Sequence, residues 1–596
     1  MEKVSGMNFH RWSWLIPLLL ALAFNLNVLQ NGFGWDDEWI IPHLKSPDDW
    51  MDLFLPDKPP PHSPKSAYLH FRPLTTISYL LDHEFWGDRP FGFHLSVWLA
   101  HILNSALVFF LARDLSNRSA PMDAYIPPLA ASLFAVHPVH AEAVAWIAGR
   151  NDVFCTSFLL ASLLLYLRFH RTERRVLLHL SMLAFFGALL IKEIAVGLIV
   201  LFPLVEFLET DRGQPVHWRR LALRSALPLA ILVAYFWMRS ATLQFLPGGS
   251  SSSETLSISV LPDIVRAYGF YLDRMLVPYP HKPFITGLPA SDLFWLWSAF
   301  TLALLMAGLL LAVVRRQALL GMGLGWTVIF ILPAAGVSAF HLAATPGAER
   351  YVYAPSAGFL VVSAWLLLKG SEKLALPSIK NLHRLPLAPS HLLVIAFTTC
   401  IVGLWGWQSW HRNTVWRSPL TFWEAAVSAA PEAGFPHRLL GIQYVSAGRY
   451  SEAEEQFRQA IANFQKTLGP RHLAVADSLF SLANVYNDQG KYGEAEPLYL
   501  RVITTWKQVL GPDHPDVATA LQNLALLYQA QGRYAEAEPL YRKALGISER
   551  ALKPNDPRLG VLLEDYARLL RSMRRDDEAL GLESRAREIL AHQPPD

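Results

Sequence analysis

Through the first 410 residues the hydrophobic positions fall in long unbroken runs, not at the spacing of a helix with one wet face. A helix needs roughly 20 apolar residues to cross a bilayer core. By that measure Trp14 to about Leu29 is one span. Further spans lie near 92–112, 126–142, 153–170, 176–192, 194–209, 221–239, 292–314, 319–336, 351–368 and 389–408. The pattern therefore predicts an all-α polytopic region of about eleven transmembrane helices over 1–410, with a first extracytoplasmic loop at 31–91. The opening run follows Lys3 and Arg11 and continues into Phe24-Asn25-Leu26-Asn27 without a small-residue cleavage site. It reads as an uncleaved signal anchor. The pieces around 126–150 and 190–195 have no sharp boundary.

After about residue 411 the pattern changes. Gly448-Arg449-Tyr450-x-Glu452-Ala453-Glu454 returns at Gly490 and again at Gly532, 42 residues apart, and a degraded copy begins at Arg574. Leu468-Gly469-Pro470, Leu510-Gly511-Pro512 and Leu552-Lys553-Pro554 keep the same period. Such self-similarity marks a solenoid of helix pairs. Small and large apolar residues at helical spacing (Leu482, Ala483, Tyr486; Leu524, Ala525, Tyr528) supply its packing face. The pattern resembles tetratricopeptide (TPR) repeats in the 42-residue form of kinesin light chains. It covers 431–592, after a linker at 411–430, and offers a concave surface for a peptide or protein.

Composition agrees with the spans: 52% of the 596 residues are hydrophobic and only 17% charged, against about 25% charged in soluble domains. The net charge of +3 gives no nucleic-acid footprint, and two cysteines make no disulfide framework or metal knuckle. The placement of charge says more. Arg113 and Arg118, the Arg168–Arg175 group, the Arg212–Arg224 group, Arg315 and Arg316, and Lys369 to Arg384 all fall on alternate loops, on the side of the N-terminus. The positive-inside rule makes that side cytoplasmic. Eleven spans then put the repeats outside the cytoplasm, in a periplasm or, with less support from the compact length, an ER-type lumen.

The polar motifs fall on the opposite side. They are Gly34-Trp35-Asp36-Asp37-Glu38, Phe71-Arg72-Pro73-Leu74-Thr75, the segment from His137 to Asp152 (HPVHAEAVAWIAGRND), Lys192-Glu193, and Glu349-Arg350-Tyr351 running to Phe359. Ionisable residues at membrane depth are expensive and mark functional sites. Five such clusters on one face describe a single polar site opening to lipid. His137, His140 and Glu142 do not make the HExxH zinc spacing, so substrate positioning or structural hydrogen bonding is favoured over a metal.

The order of these motifs, followed by the repeats, resembles the transmembrane and TPR-repeat-containing O-mannosyltransferases of the GT-C glycosyltransferase superfamily, their bacterial relatives above all. The resemblance implies a polyprenyl- or dolichyl-phosphate sugar donor and transfer, typically of mannose, to Ser or Thr of an extracytoplasmic protein. The repeat array is shorter than in animal members, which bears on the acceptor more than on the chemistry. A lipid phosphate departs as an anion and needs no general acid, so the reaction asks for one base and ends in inversion. Asp36 or Asp37 is the candidate base, its neighbour orienting the sugar or a divalent ion such as Mg or Mn. Lys192, Arg350 and Arg150 are the candidate cations for the departing phosphate. Glu38, Arg72, His137, His140, Glu142, Asp152, Glu193 and Tyr351 are candidate substrate-positioning residues.

Two other classes compete. A transporter or lipid flippase would carry its ionisable groups near mid-bilayer and show repeated halves; this sequence shows surface clusters and no such repeat. A membrane-anchored TPR scaffold would need one span, not eleven.

Overall fold

Inside hydrocarbon every backbone N–H and C=O must be satisfied within the chain, which leaves the helix as the solution for a single apolar run. The computed structural model follows this rule. It describes residues 12–35, 37–41, 53–54, 71–116, 121–210, 217–243, 260–279, 282–285, 287–340, 347–373 and 389–591. Among them, extended pairing is limited to one bridge, Ile285 to Gly347. The chain forms two units, Met1–Phe422 and Trp423–Asp596.

The first unit contains α1 (Leu15–Asn25), α2 (Asp37–Ile40), α3 (Pro73–Trp86), α4 (Pro90–Leu115), α5 (Ile126–Val136), α6 (Ala141–Ala145), α7 (Arg150–Thr172), α8 (Arg175–Ile191), α9 (Leu198–Glu209), α10 (Trp218–Leu243), α11 (Leu261–Leu276), α12 (Asp292–Val314), α13 (Ala318–Ala339), α14 (Tyr353–Lys373) and α15 (Pro389–Val415). α16 (Pro419–Ala429) contains the boundary between the units, so most of the stretch read as a linker is helical. Seven described helices are long and apolar enough to cross a membrane: α4, α7, α10, α12, α13, α14 and α15. α1, α5, α8 and α9 are apolar but shorter. The reason is local. α1 passes into a 3-10 turn at Leu26–Gln30, α5 into one at Pro138–His140, and α8 and α9 are separated by one at Glu193–Gly197. The His137–Asp152 and Lys192-Glu193 motifs sit on two of these turns, so the unclear boundaries in the sequence are places where helix gives way to site.

Charged partners segregate to the two ends of the bundle. At one end Arg168 pairs with Asp114 at 2.8 Å and Arg171 with Glu209 at 2.7 Å, while Arg224 bridges Glu206 and Glu173. These are the loops that the positive-inside reading groups together. The opposite end carries Asp37, Glu142, Asp152, Lys192 and Arg350. The N-terminal segment is fastened to α15 there. Asn413 Nδ2 donates to Asn27 Oδ1 at 3.1 Å, Asn27 Nδ2 to the Trp410 carbonyl at 2.7 Å, and Asn31 Nδ2 to the Asn413 carbonyl at 3.1 Å.

The second unit is a succession of helix pairs: α17 (Gly434–Ser446) with α18 (Tyr450–Leu468), α19 (Leu473–Asp488) with α20 (Tyr492–Val509), α21 (Pro515–Ala530) with α22 (Tyr534–Ala551), and α23 (Pro557–Ser572) with α24 (Asp576–Ala591). Its sequence markers have direct structural work. Gly448, Gly490 and Gly532 turn each pair with φ of +71°, +73° and +74°, a conformation that suits glycine. The degraded copy places Arg574 there at +59°. The second glutamate of each marker joins neighbouring repeats. Glu454 accepts from Tyr486 at 3.0 Å and from Lys491, Glu496 from Tyr528 at 2.8 Å and Arg533 at 2.9 Å, and Glu538 from Arg575 at 2.7 Å. Leu580 takes that position in the degraded copy.

Candidate active site

Lys192 caps the end of α8, where the backbone turns extended before the 3-10 turn begins. Asp152 lies in the first turn of α7, a position that favours a carboxylate. The packing of α7 on α8 brings them together, with Lys192 Nζ 2.6 Å from Asp152 Oδ1 and both largely buried. A second pair forms beside the first. Glu142, in the first turn of α6, accepts from the Arg350 backbone N–H at 3.1 Å and from its guanidinium. Tyr351 joins the two pairs. Lys192 Nζ is 5.2 Å and Arg350 Cζ 4.8 Å from the centre of its ring. Lys192, Asp152, Glu142, Arg350 and Tyr351 therefore make one cluster, in which both cations have a carboxylate partner.

Next to it, Glu193 accepts from Arg72 at 3.1 Å and from Arg239 at 2.9 Å. Burial opposes ionisation of Glu193, but Arg72 and Arg239, together with the local backbone, outweigh it and hold the carboxyl down at about 2. Arg150 lies elsewhere. Its guanidinium is fully enclosed, 2.8 Å from Asp82 and 3.2 Å from the Phe93 carbonyl, over the ring of Tyr79. Burial raises Asp82 above the usual carboxylate range despite this partner. Arg150 is thus committed to the wall of the bundle and does not join Lys192 and Arg350.

Asp37 opens α2 and is buried. Its Oδ1 accepts from the Ala148 N–H at 2.9 Å and its Oδ2 from the Gly34 N–H at 3.2 Å. Trp35 stacks on Trp146 with ring centres 5.6 Å apart and planes at 14°, and Trp146 stacks on Trp416 at 5.4 Å and 14°. Arg350 lies over the same Trp146 ring at 5.0 Å, which links this layer to the Lys192 cluster. The following turn needs Gly149: a Cβ there would stand 2.9 Å from the Glu142 carbonyl and 3.0 Å from Ala143 Cα. Asp36 and the side chain of Glu38 lie outside the described residues.

The histidines of the central motif face inward. His137 Nε2 meets the Met275 carbonyl at 3.0 Å, while its Nδ1 accepts from the Val139 N–H. His140 Nε2 meets Ser356 Oγ at 2.9 Å and packs on Tyr353, which bonds His101 at 2.7 Å. Among the described residues no three His, Cys, Asp or Glu side chains come together as a metal-ligand set. His101, Asn104, Asp82, Arg239 and Arg412 belong to none of the sequence motifs, and Trp35, Trp146 and Glu349 stand inside motifs with no role that the motif marks. Glu349 is buried against Arg412 at 3.1 Å. For His101 and Asn104 a signal existed: polar residues in the middle of an otherwise apolar span.

The family model for the tetratricopeptide repeat matches residues 436–504, 481–550 and 522–591. Human protein O-mannosyl-transferase TMTC2 is 34% identical over 160 residues, covering 26% of this chain and 18% of that one. A Caenorhabditis elegans protein O-mannosyl-transferase is 24% identical over 482 residues, 75% of this chain and 62% of that one. Human TMTC4 is 25% identical over 506 residues, 74% and 65% of the two chains. Matches of that length reach far beyond the repeats. The chain is similar to the TMTC protein O-mannosyl-transferases. It spans less than two thirds of the length of each of these relatives. The TMTC relationship and the helices of the first unit together describe a multi-pass membrane protein with a TPR unit.

Proposed function

We propose that this TMTC relative transfers mannose from a polyprenyl- or dolichyl-phosphate donor to Ser or Thr hydroxyls of extracytoplasmic proteins. The observation that carries the reading is the pair of cations around Tyr351, each held by a carboxylate. With its charges balanced, the cluster is stable without ligand. When a lipid phosphate enters, Lys192 and Arg350 turn from Asp152 and Glu142 to the phosphate oxygens, where charge grows as the glycosidic bond breaks. The phosphate leaves as an anion and takes no proton. A hydroxyl oxygen attacks the anomeric carbon from the opposite face, which inverts it, and its proton passes to the Asp36–Asp37 pair. Asp37, with an amide N–H on each oxygen, is fixed in direction and retains lone pairs for that proton or for a sugar hydroxyl. The repeats at 431–592 recruit the acceptor on the extracytoplasmic side, with the N-terminus cytoplasmic.

The test uses membranes containing the full chain, radiolabelled polyprenyl-phosphate mannose and a co-expressed secreted acceptor rich in Ser and Thr. Labelled acceptor from the wild type, lost in Asp36→Asn or Asp37→Asn at equal expression, is the expected result. Normal labelling in both variants would remove the base assignment. No labelled product from any lipid-phosphate sugar would overturn the activity. Deleting the chain after Pro431 should impair acceptor labelling more than donor hydrolysis, and equal loss of both would refute recruitment.

A further inference from the structure

The Trp35–Trp146–Trp416 stack has no part in the chemistry above, yet Trp35 precedes the Asp pair in the chain and Trp146 lies two residues before the Ala148 N–H that holds Asp37. Trp35 has φ of +44°, a conformation that costs a bulky residue about 1–2 kcal/mol and persists where the surroundings enforce it. What enforces it is visible. The Trp35 ring lies on Trp146 and also meets Phe422 and Phe284 at 5.5 and 6.3 Å. Two residues past Trp146, the Ala148 N–H holds Asp37. Residues 35 and 37, which flank Asp36, are thus both pinned to the 146–148 segment, one by its ring and the other by its carboxylate. Trp146 also stacks on Trp416, and the Gly32 N–H donates to the Arg417 carbonyl at 3.0 Å. The loop carrying the Asp pair is clamped between the turn before α7 and the segment that follows α15.

We infer that Trp146 and Trp416 are positioning residues, which hold Trp35 in its strained form with Asp37 fixed beside it and so set where the proton of the acceptor hydroxyl is taken. This rests on the transferase reading. The indole N–H groups of Trp146 and Trp416 meet no acceptor among the described residues, so the stack holds by ring area and not by edge hydrogen bonds. A phenylalanine can therefore replace part of what an indole does here, and an alanine cannot.

The experiment pairs two readouts on the full chain in detergent or nanodiscs. The first is hydrogen exchange of residues 31–41 in the wild type, Trp146→Phe, Trp146→Ala, Trp416→Phe and Trp416→Ala. The alanine variants should lose protection there at least 10-fold, with the phenylalanine variants between. Unchanged protection in Trp146→Ala would overturn the clamp whether or not the protein has transferase activity. The second is steady-state mannosyl transfer. Trp416→Ala, whose ring does not carry Arg350, should lose kcat by 10-fold or more with donor KM within 2-fold of wild type, and Trp416→Phe should restore part of it. A rise in donor KM at constant kcat would overturn positioning of the base and place the stack in donor binding. If the wild type transfers no sugar while exchange at 31–41 still follows ring size, the transferase reading fails and the clamp stands.

Discussion

Asp82→Asn separates a structural arginine from a phosphate-binding one. Arg150 is fully enclosed, and Asp82 is its carboxylate partner at 2.8 Å. Removing one member of a buried pair leaves an uncompensated charge and costs about 3–5 kcal/mol. Part of that is recovered here, because Ser78, the Phe93 carbonyl and the Tyr79 ring still face the guanidinium. A contact of the last kind is worth about 2 kcal/mol when desolvated. The expected loss is therefore at the lower end, about 3 kcal/mol. Domains of 150–250 residues shift by about 2–4 °C per kcal/mol, and larger ones by less, which gives a fall in Tm of about 5 °C. The assay is thermal unfolding of the purified protein in detergent, with binding of polyprenyl phosphate measured on the same samples. Asp82→Leu combined with Arg150→Met should recover most of the Tm, since apolar groups of similar volume can replace a buried pair at little cost. An unchanged Tm in Asp82→Asn with lost lipid-phosphate binding would refute the reasoning and return Arg150 to the donor site.

Other expectations concern separate parts of the molecule. Arg574→Gly removes a left-handed arginine from the position that glycine fills in the three regular repeats, relieving about 1–2 kcal/mol of strain against about 0.5–1 kcal/mol of added backbone entropy, and should stabilise the repeat unit by about 0.5–1 kcal/mol; limited proteolysis within 557–591 should slow, and faster cleavage would contradict this. Gly149→Ala should lower Tm and weaken transfer together, because its methyl group would meet backbone at Glu142 and Ala143; a neutral result would mean that this turn can open freely. Glu193 is held at about 2 against an ordinary value of 4.5, so its ionisation stabilises the fold fully above pH 4.5 and progressively less as the pH falls toward 2. Glu193→Gln should thus be less stable than wild type by a constant margin above pH 4.5, and that margin should shrink below it. A margin independent of pH from 6 down to 3 would show that Arg72 and Arg239 do not act through this carboxylate.

Much of this architecture is legible in the chain. Apolar length is a local property, so α4, α7, α10, α12, α13, α14 and α15 appear directly as spans, and a 42-residue period cannot be hidden by packing. The polar clusters are legible because ionisable residues stand out against hydrocarbon. Partnerships are another matter. Arg150 finds Asp82, Glu193 finds Arg239 and Glu142 finds Arg350, and no local pattern marks which cation meets which carboxylate across tens to hundreds of residues. The sequence shows Arg150, Lys192 and Arg350 as three similar cations; folding encloses the first and leaves the other two around Tyr351. The tryptophan stack is invisible for the same reason. Trp35, Trp146 and Trp416 come from three distant segments, and tryptophan near a membrane surface is common enough to carry no message of its own.

The central claim is that Lys192 and Arg350 hold the phosphate of a lipid-linked sugar. Its most direct test is equilibrium binding of polyprenyl phosphate to the purified full-length protein, wild type against Lys192→Gln and Arg350→Gln, with melting temperatures recorded alongside. A hydrogen bond to a charged group is worth about 1.5–3 kcal/mol, so each variant should bind about 10-fold to 100-fold more weakly. Wild-type affinity in both folded variants would contradict the account.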